Sequence, residues 1–136
     1  MKRVFLLLVF CCVLFVPVIV SAATVQPAPA GTVRVYRDSL CSTGPQTTFG
    51  PGEYPSLVNH PQHDESGSLI PNSSWNDQIS CLTIGEGISK VIVYEHINYK
   101  GKSLTLTRTK QNPLGVWSFG RGDWWNDRIS SFKIIK

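Results

Sequence analysis

The sequence predicts an all-β domain of sandwich or barrel type, built from two related halves. Three observations lead there. Short apolar or alternating runs are separated by Gly and Pro clusters. No segment carries a sustained i, i+3, i+4, i+7 apolar stripe, and the phrase Trp-Asn-Asp-x-Ile-Ser occurs twice. Strands of four to seven residues, punctuated this often, belong to sandwiches and barrels. The lack of a helical stripe leaves little room for helix.

Taken in order, residues 1–22 read as a secretory signal peptide that is removed. Lys2 and Arg3 precede an apolar run from Val4 to Val20, and Ser21, Ala22 and Ala23 supply the small residues a signal peptidase needs. Cleavage is expected after Ala22, with Ala23 the second choice. A retained membrane anchor is the rival reading. The run is near the lower limit of about 17 residues for a spanning helix, and Pro17 interrupts it. Residues 23–31 (ATVQPAPAG) have no periodicity and two prolines, which predicts a flexible lead-in. Residues 32–136 then have the length of one domain.

Removing the leader changes two balances. The whole chain carries 13 Lys and Arg against 9 Asp and Glu; without Lys2 and Arg3 the excess is small. The charges are scattered along the sequence with no Lys/Arg stripe, so no nucleic-acid partner is predicted. Cys11 and Cys12 leave with the leader, and only Cys41 and Cys81 remain. In an exported chain two cysteines most simply form one disulfide, and two free structural thiols are the alternative. Two cysteines alone cannot build a four-ligand zinc site.

The expected strands are Thr32 to Tyr36, Ile79 to Ile84, Val91 to Tyr94, Ser103 to Leu106 and Ile129 to Ile135. Val33 to Ile84 and Val91 to Ile134 follow one plan. Each opens on Val-x-Val-Tyr and ends on the repeated phrase, Trp75 to Cys81 and Trp125 to Ser131. The repeat divides the domain into residues 32–85 and 90–136. The first half also holds a polar insert, Val58 to Ser74, which reads as a surface loop.

The repeated phrase has a chemistry. Asn76, Asp77 and Ser80, with Asn126, Asp127 and Ser130, offer hard oxygens beside peptide carbonyls. Calcium takes six to eight such oxygens in loose geometry, and about one carboxylate per copy predicts modest affinity. The plainer alternative is that each Asn-Asp pair caps a turn and each Ser closes a local hydrogen bond. Occurrence at equivalent places in both halves favours the ion.

Tyr94 to Gly101 (YEHINYKG) resembles the Tyr-x-x-x-x-aromatic-x-Gly hairpin signature of βγ-crystallin Greek keys. The two terminal phrases resemble the Asn/Asp-Asn/Asp-x-x-Ser/Thr-Ser calcium motif of microbial members, and Phe49 to Tyr54 is similar to that family's approach to its third strand. The resemblance spans nearly all of Val33 to Ile135. It implies a β-sandwich of two Greek keys with pseudo-twofold symmetry and two calcium ions bound crosswise. By that pattern Asp127 joins the Gln78 carbonyl and the Ser80 hydroxyl, and Asp77 joins the Arg128 carbonyl and Ser130. A carbonyl from each opening hairpin, near Arg37 and near Glu95, completes each shell with water. Asn76 and Asn126 shape the loops rather than bind.

The first key departs from the pattern twice. Its hairpin places Cys41 where the aromatic belongs, with the glycine displaced to Gly44, and its motif ends in Cys81 where the second has Ser131. A Cys41–Cys81 bridge replacing the aromatic clamp would link the two departures.

Other residues carry less. His60, His63 and His96 lack cysteine or carboxylate partners at metal spacing, so zinc is not expected. No nucleophile–base arrangement supports an enzyme. Arg121-Gly122-Asp123 reads as turn chemistry, and Asn72-Ser73-Ser74 is a glycosylation sequon. Of the tryptophans near the second motif, the family resemblance implies that Trp125 belongs to the core, and Trp124, its neighbour on an alternating path, should then point outward. Simple packing of Trp117 and Trp124 is preferred to sugar or membrane contact. The expected function is that of a secreted, monomeric calcium-binding domain with a structural or stress-related role, without stable membrane insertion. The alternatives are a protease inhibitor or antimicrobial toxin acting through the insert and, more weakly, a carbohydrate binder.

Overall fold

The computed structural model describes residues 24–136; the predicted leader lies outside the described residues. Eight strands follow: β1 (Val33–Tyr36), β2 (Gln46–Phe49), β3 (Gly52–Tyr54), β4 (Cys81–Ile84), β5 (Lys90–His96), β6 (Lys100–Leu106), β7 (Val116–Ser118) and β8 (Ser131–Ile135). One 3-10 turn, Ile97–Tyr99, joins β5 to β6. The strands form two antiparallel four-stranded sheets, ordered β2-β1-β4-β7 and β3-β8-β5-β6. Each half therefore sends its third strand to the other half's sheet. β3 pairs with β8, and β7 pairs with β4. This is a two-Greek-key β-sandwich, the fold class the sequence predicts.

Alternation explains the core. Val33 and Val35 on β1, Leu82 and Ile84 on β4, Val91 and Val93 on β5, and Phe132 and Ile134 on β8 meet between the sheets. Each such burial stabilises the fold by about 1.5–3 kcal/mol relative to exposure. Trp75, Ile79 and Ile129 join this core, so both repeated phrases are anchored in it by their apolar members.

β4 is buried on both faces, and the reason is a segment expected to be flexible. Residues 24–31 form a strap across the outer face of the first sheet. Gln26 donates its backbone N–H to the Cys41 carbonyl at 3.1 Å, and its own carbonyl accepts from the Tyr36 and Thr83 hydroxyls. Val25 packs on a second small cluster of Tyr36, Cys41 and Cys81. The prolines here prevent regular pairing but leave enough backbone donors and acceptors to tie the segment down.

Cys41 and Cys81 form a disulfide, with Cα atoms 5.5 Å apart. Its place in the fold accounts for both departures of the first key. In the second key Tyr99 packs edge-on against Tyr94, ring centroids 5.4 Å apart, and the Tyr99 N–H donates to Ser131 Oγ at 3.2 Å. Cys41 and Tyr99 occupy equivalent hairpin positions with left-handed backbones, φ 55 and 60. Cys81 and Ser131 likewise open β4 and β8. A covalent bond thus stands where the second key has a hydrogen bond and a ring contact.

The insert is also less loose than its composition predicts. His63 bridges to Gln46 and to Leu69, extending the edge of β2, and Gln62 is buried with its amide donating to the Ser74 carbonyl at 2.7 Å.

Candidate metal centre

Each repeated phrase folds as a tight turn. The N–H of Gln78 returns to the Trp75 carbonyl, and that of Arg128 to the Trp125 carbonyl, both at 3.3 Å. Asp77 and Asp127 sit in the left-handed region, φ 53 and 54, a conformation that Asp and Asn tolerate better than most residues. Asn76 Nδ2 donates to Asp77 Oδ2 at 2.9 Å, and Asn126 Nδ2 donates to Asp127 Oδ2 at 3.0 Å. The asparagines thereby fix the rotamers of the neighbouring carboxylates.

The two turns are joined to each other. The N–H of Asp77 donates to the Ile129 carbonyl at 3.1 Å, and that of Asp127 to the Ile79 carbonyl at 3.2 Å. These reciprocal bonds mark the pseudo-twofold axis and place each carboxylate against the other motif's serine. Ser130 Oγ lies 2.8 Å from Asp77 Oδ1, and Ser80 Oγ lies 3.0 Å from Asp127 Oδ1. Both serines are buried, at 5% exposure.

Beyond this the two sides differ. Ser130 Oγ also lies 2.9 Å from the Glu95 carbonyl, so three oxygens converge. A serine hydroxyl has one proton to donate, and here it faces two acceptors. One of the short oxygen–oxygen contacts is therefore unrelieved by hydrogen bonding, an arrangement that suits a cation. Asn76 Oδ1 is buried with no hydrogen-bond partner among the described residues, and Asn76 lines the depression on the other side of the pair. Asp77, Asp127, Glu95, His96, Arg128 and Ser130 line a cleft of about 190 Å³.

On the other side Ser80 Oγ reaches Asp127, and no hydrogen bond joins it to the Arg37 carbonyl among the described residues. Arg37 and Gln78 face a separate depression of about 410 Å³, walled by Gln62 and by insert residues from Ile70 to Ser74. The first hairpin is organised differently. The Asp38 carboxylate gathers the N–H groups of Leu40, Ser42 and Thr43 at 2.9, 3.1 and 3.3 Å. Burial pushes the Asp38 carboxyl up, but these bonds and the Ser42 hydroxyl outweigh it and hold it below the usual range. The second hairpin closes instead on Gly101. A Cβ there would meet His96 Cδ2 at 2.9 Å and Glu95 Cβ at 3.0 Å, which is why the signature requires glycine.

Among the described residues no group of three or more His, Cys, Asp or Glu side chains is arranged to hold a metal. The convergence at Ser130 is made mostly of hydroxyl and carbonyl oxygen, a donor set for hard cations and not for zinc. His60 packs against Phe49 and Tyr54, and His63 hydrogen-bonds Thr47.

No protein-family model matches the chain, and no curated protein does. Solved structures do. A threonine-to-serine double mutant of a βγ-crystallin domain from Clostridium beijerinckii is 27% identical, with 76% of this chain and 96% of that one covered and a TM-score of 0.51. A double mutant of clostrillin in complex with nickel is 26% identical, covering 77% and 98%, with a TM-score of 0.50. A βγ-crystallin domain from Flavobacterium johnsoniae is 25% identical, covering 76% and 92%, also with a TM-score of 0.50. This chain belongs to the βγ-crystallin superfamily. Within this βγ-crystallin domain the paired motifs and the Tyr94–Gly101 hairpin meet at one end of the sandwich. The sequence places Trp124 outward and Trp125 in the core, as observed, but did not reveal the two cations that lie on the Trp124 ring. Trp124 is 44% exposed, with Lys102 Nζ 3.5 Å and the Arg128 guanidinium carbon 4.2 Å from its ring centroid. Trp125, its neighbour, packs against the core. The outward direction of Trp124 follows from its adjacency to a core residue; of its cations, Lys102 comes from β6, and Arg128 lies four residues on in the same loop.

Proposed function

We propose that this is an exported calcium-binding βγ-crystallin domain in which the ions stabilise the fold and no reaction is catalysed. The observation that carries this reading is the meeting of Asp77 Oδ1, Ser130 Oγ and the Glu95 carbonyl within hydrogen-bonding distance. Asp77, Ser130 and the carbonyls of Glu95 and Arg128 would hold one ion. Asp127, Ser80 and the carbonyls of Gln78 and Arg37 would hold the other. Bound calcium supplies positive charge where these oxygens crowd together. One carboxylate per site favours modest affinity, suited to a compartment rich in calcium. Export is supported by the disulfide, since such bonds persist in oxidising compartments, and the leader expected over residues 1–22 would direct it.

Isothermal titration with calcium, paired with thermal melts in chelator and in calcium, tests the proposal. Free calcium at a hundred times the dissociation constant should add about 2.7 kcal/mol per site. An unchanged melting midpoint and no heat of binding would refute it.

A further inference from the structure

The charges that are scattered along the sequence are partitioned between the two keys. Residues 90–136 carry nine Lys and Arg against three carboxylates, whereas residues 32–86 carry two against six. The carboxylates of the first half are largely engaged within it or on its border. Asp38 holds its own hairpin, Asp64 takes the Ser66 and Ser68 N–H groups, Glu65 takes the Gly44 N–H, and Glu53 pairs with Lys133. In the basic half, ion pairs among the described residues involve only Arg128 and Lys133. The remaining cations are unmatched.

The basic half also presents one large exposed aromatic. The Asp123 carboxylate accepts the Trp125 N–H at 2.8 Å, closing the turn that carries Trp124. This gives the Arg121-Gly122-Asp123 segment a structural role in directing the indole outward. Lys102 lies on β6, the outer strand of its sheet, beside Lys100. Lysines on an edge strand discourage sheet-to-sheet pairing, but that purpose does not require an exposed indole among them. Indoles at the headgroup level, flanked by Lys and Arg, are the pattern of proteins seated on membrane surfaces.

We propose that Trp124, Lys102 and Arg128 form a peripheral docking site for an anionic phospholipid surface. Charge complementarity selects the partner: Lys102, with no ion pair among the described residues, and Arg128, whose pair with Glu95 is long at 4.0 Å, meet lipid phosphates while the edge of the ring between them enters the interface. A sugar would stack on the indole face, and Lys102 and Arg128 already lie over that ring. A second copy of the chain offers carboxylates that are for the most part already engaged by its own loops.

The test is sedimentation of residues 24–136 with vesicles of phosphatidylcholine alone and of phosphatidylcholine with about one-third phosphatidylserine. It is run in chelator, so that its failure is separate from failure of the calcium reading. Binding is expected to the anionic vesicles only, and to fall sharply between about 0.05 and about 0.5 M salt. Lys102→Ala should weaken it about fivefold and Trp124→Ala about tenfold. Both side chains are exposed, and unchanged melting midpoints of the variants will verify folding. No retention on anionic vesicles, equal retention on neutral ones, or retention indifferent to both substitutions would each overturn the proposal. So would salt-sensitive self-association in sedimentation velocity without vesicle binding.

Discussion

Replacing Ser130 with alanine separates a hydrogen-bonding role from an ion-binding one. In chelator the substitution removes one hydroxyl that donates to Asp77 or to the Glu95 carbonyl. Asp77 keeps its bond from Asn76 Nδ2 at 2.9 Å, so the carboxylate is not stranded. The net loss should be that of one ordinary hydrogen bond, about 1 kcal/mol, or about 4 °C in melting midpoint for a domain of this size. On the proposed reading, the same change in calcium also removes a ligand. If affinity falls about tenfold, free calcium at a hundred times the original dissociation constant becomes ten times the new one. That site's contribution then drops from about 2.7 to about 1.4 kcal/mol. The total deficit should therefore be about twice as large in calcium as in chelator, measured by urea denaturation in each condition. Ser80→Ala, which gives up one contact to Asp127 and none to Arg37, should show a smaller calcium-dependent excess. A Ser130→Ala deficit that is identical in chelator and in calcium would refute the reasoning, because the hydroxyl would then contact no ion.

Removing the disulfide with Cys41→Ala and Cys81→Ala together should cost about 4 kcal/mol on the chain-entropy account of a 40-residue loop, read from urea midpoints under non-reducing conditions. Tyr36→Phe should cost about 1 kcal/mol, because the buried hydroxyl ties the strap at Gln26; a neutral result would mean the strap adds nothing to stability. Gly101→Ala and Gly44→Ala both place a side chain at positive φ, 78 and 77, at about 1–2 kcal/mol each. Gly101 alone also meets neighbours at 2.9–3.0 Å, so it should be clearly the worse in thermal melts. For Asp38 the folded carboxyl lies below its ordinary value, so its stabilisation is present above the unfolded pKa of about 3.9. It is lost as pH falls through the folded value. The stability gap between wild type and Asp38→Ala should therefore be constant at neutral pH and shrink on acidification below about pH 4.

The strands readable in the sequence were those whose alternation is apolar. β1, β4, β5, β6 and β8 fall inside or beside the expected runs, with one shift of meaning. In each repeated phrase the Ile and Ser expected as strand, Ile79 and Ser80 and likewise Ile129 and Ser130, belong to the turn, so β4 starts at Cys81 and β8 at Ser131. β2 and β7 carried no such signal. Gln46-Thr47-Thr48 is polar, and Val116–Ser118 is three residues long; both are strands because β1 and β4 offer them hydrogen-bonding edges. The strap was unreadable for a related reason. Gln26 acts chiefly through main-chain groups, which leave no trace in residue type. At the candidate site, the repeat pointed to two oxygen-rich turns, but the pairing of Asp77 with Ser130 depends on an axis between the keys. Family resemblance supplied that pairing, since local sequence cannot. The Lys102 contact with Trp124 left no local trace because it comes from β6, and Arg128, four residues on in the same loop, reaches the ring only through the fold of its turn.

The two keys have diverged in how they hold their hairpins, and the divergence bears on the proposed ion sites. The second hairpin folds over Tyr99 and presses the Glu95 carbonyl toward Ser130. That packing is non-covalent, so it leaves the carbonyl positioned but able to adjust by the few tenths of an ångström that coordination demands. The first hairpin is bonded to β4 through Cys41 and wrapped around the Asp38 carboxylate, and its loop also returns from Arg37 N–H to the Pro45 carbonyl at 3.0 Å. These restraints set the hairpin's path independently of any ion. A cation bound by Asp127 and Ser80 would have to draw the Arg37 carbonyl in against them or accept water in its place. Stability in the first key thus comes from covalent closure and the strap, while the second key keeps the geometry that an ion can complete. On this account calcium should protect amides of the Tyr94–Gly101 hairpin from hydrogen exchange more than those of Tyr36–Gly44, and equal protection of both would show that the disulfide does not restrain the first site.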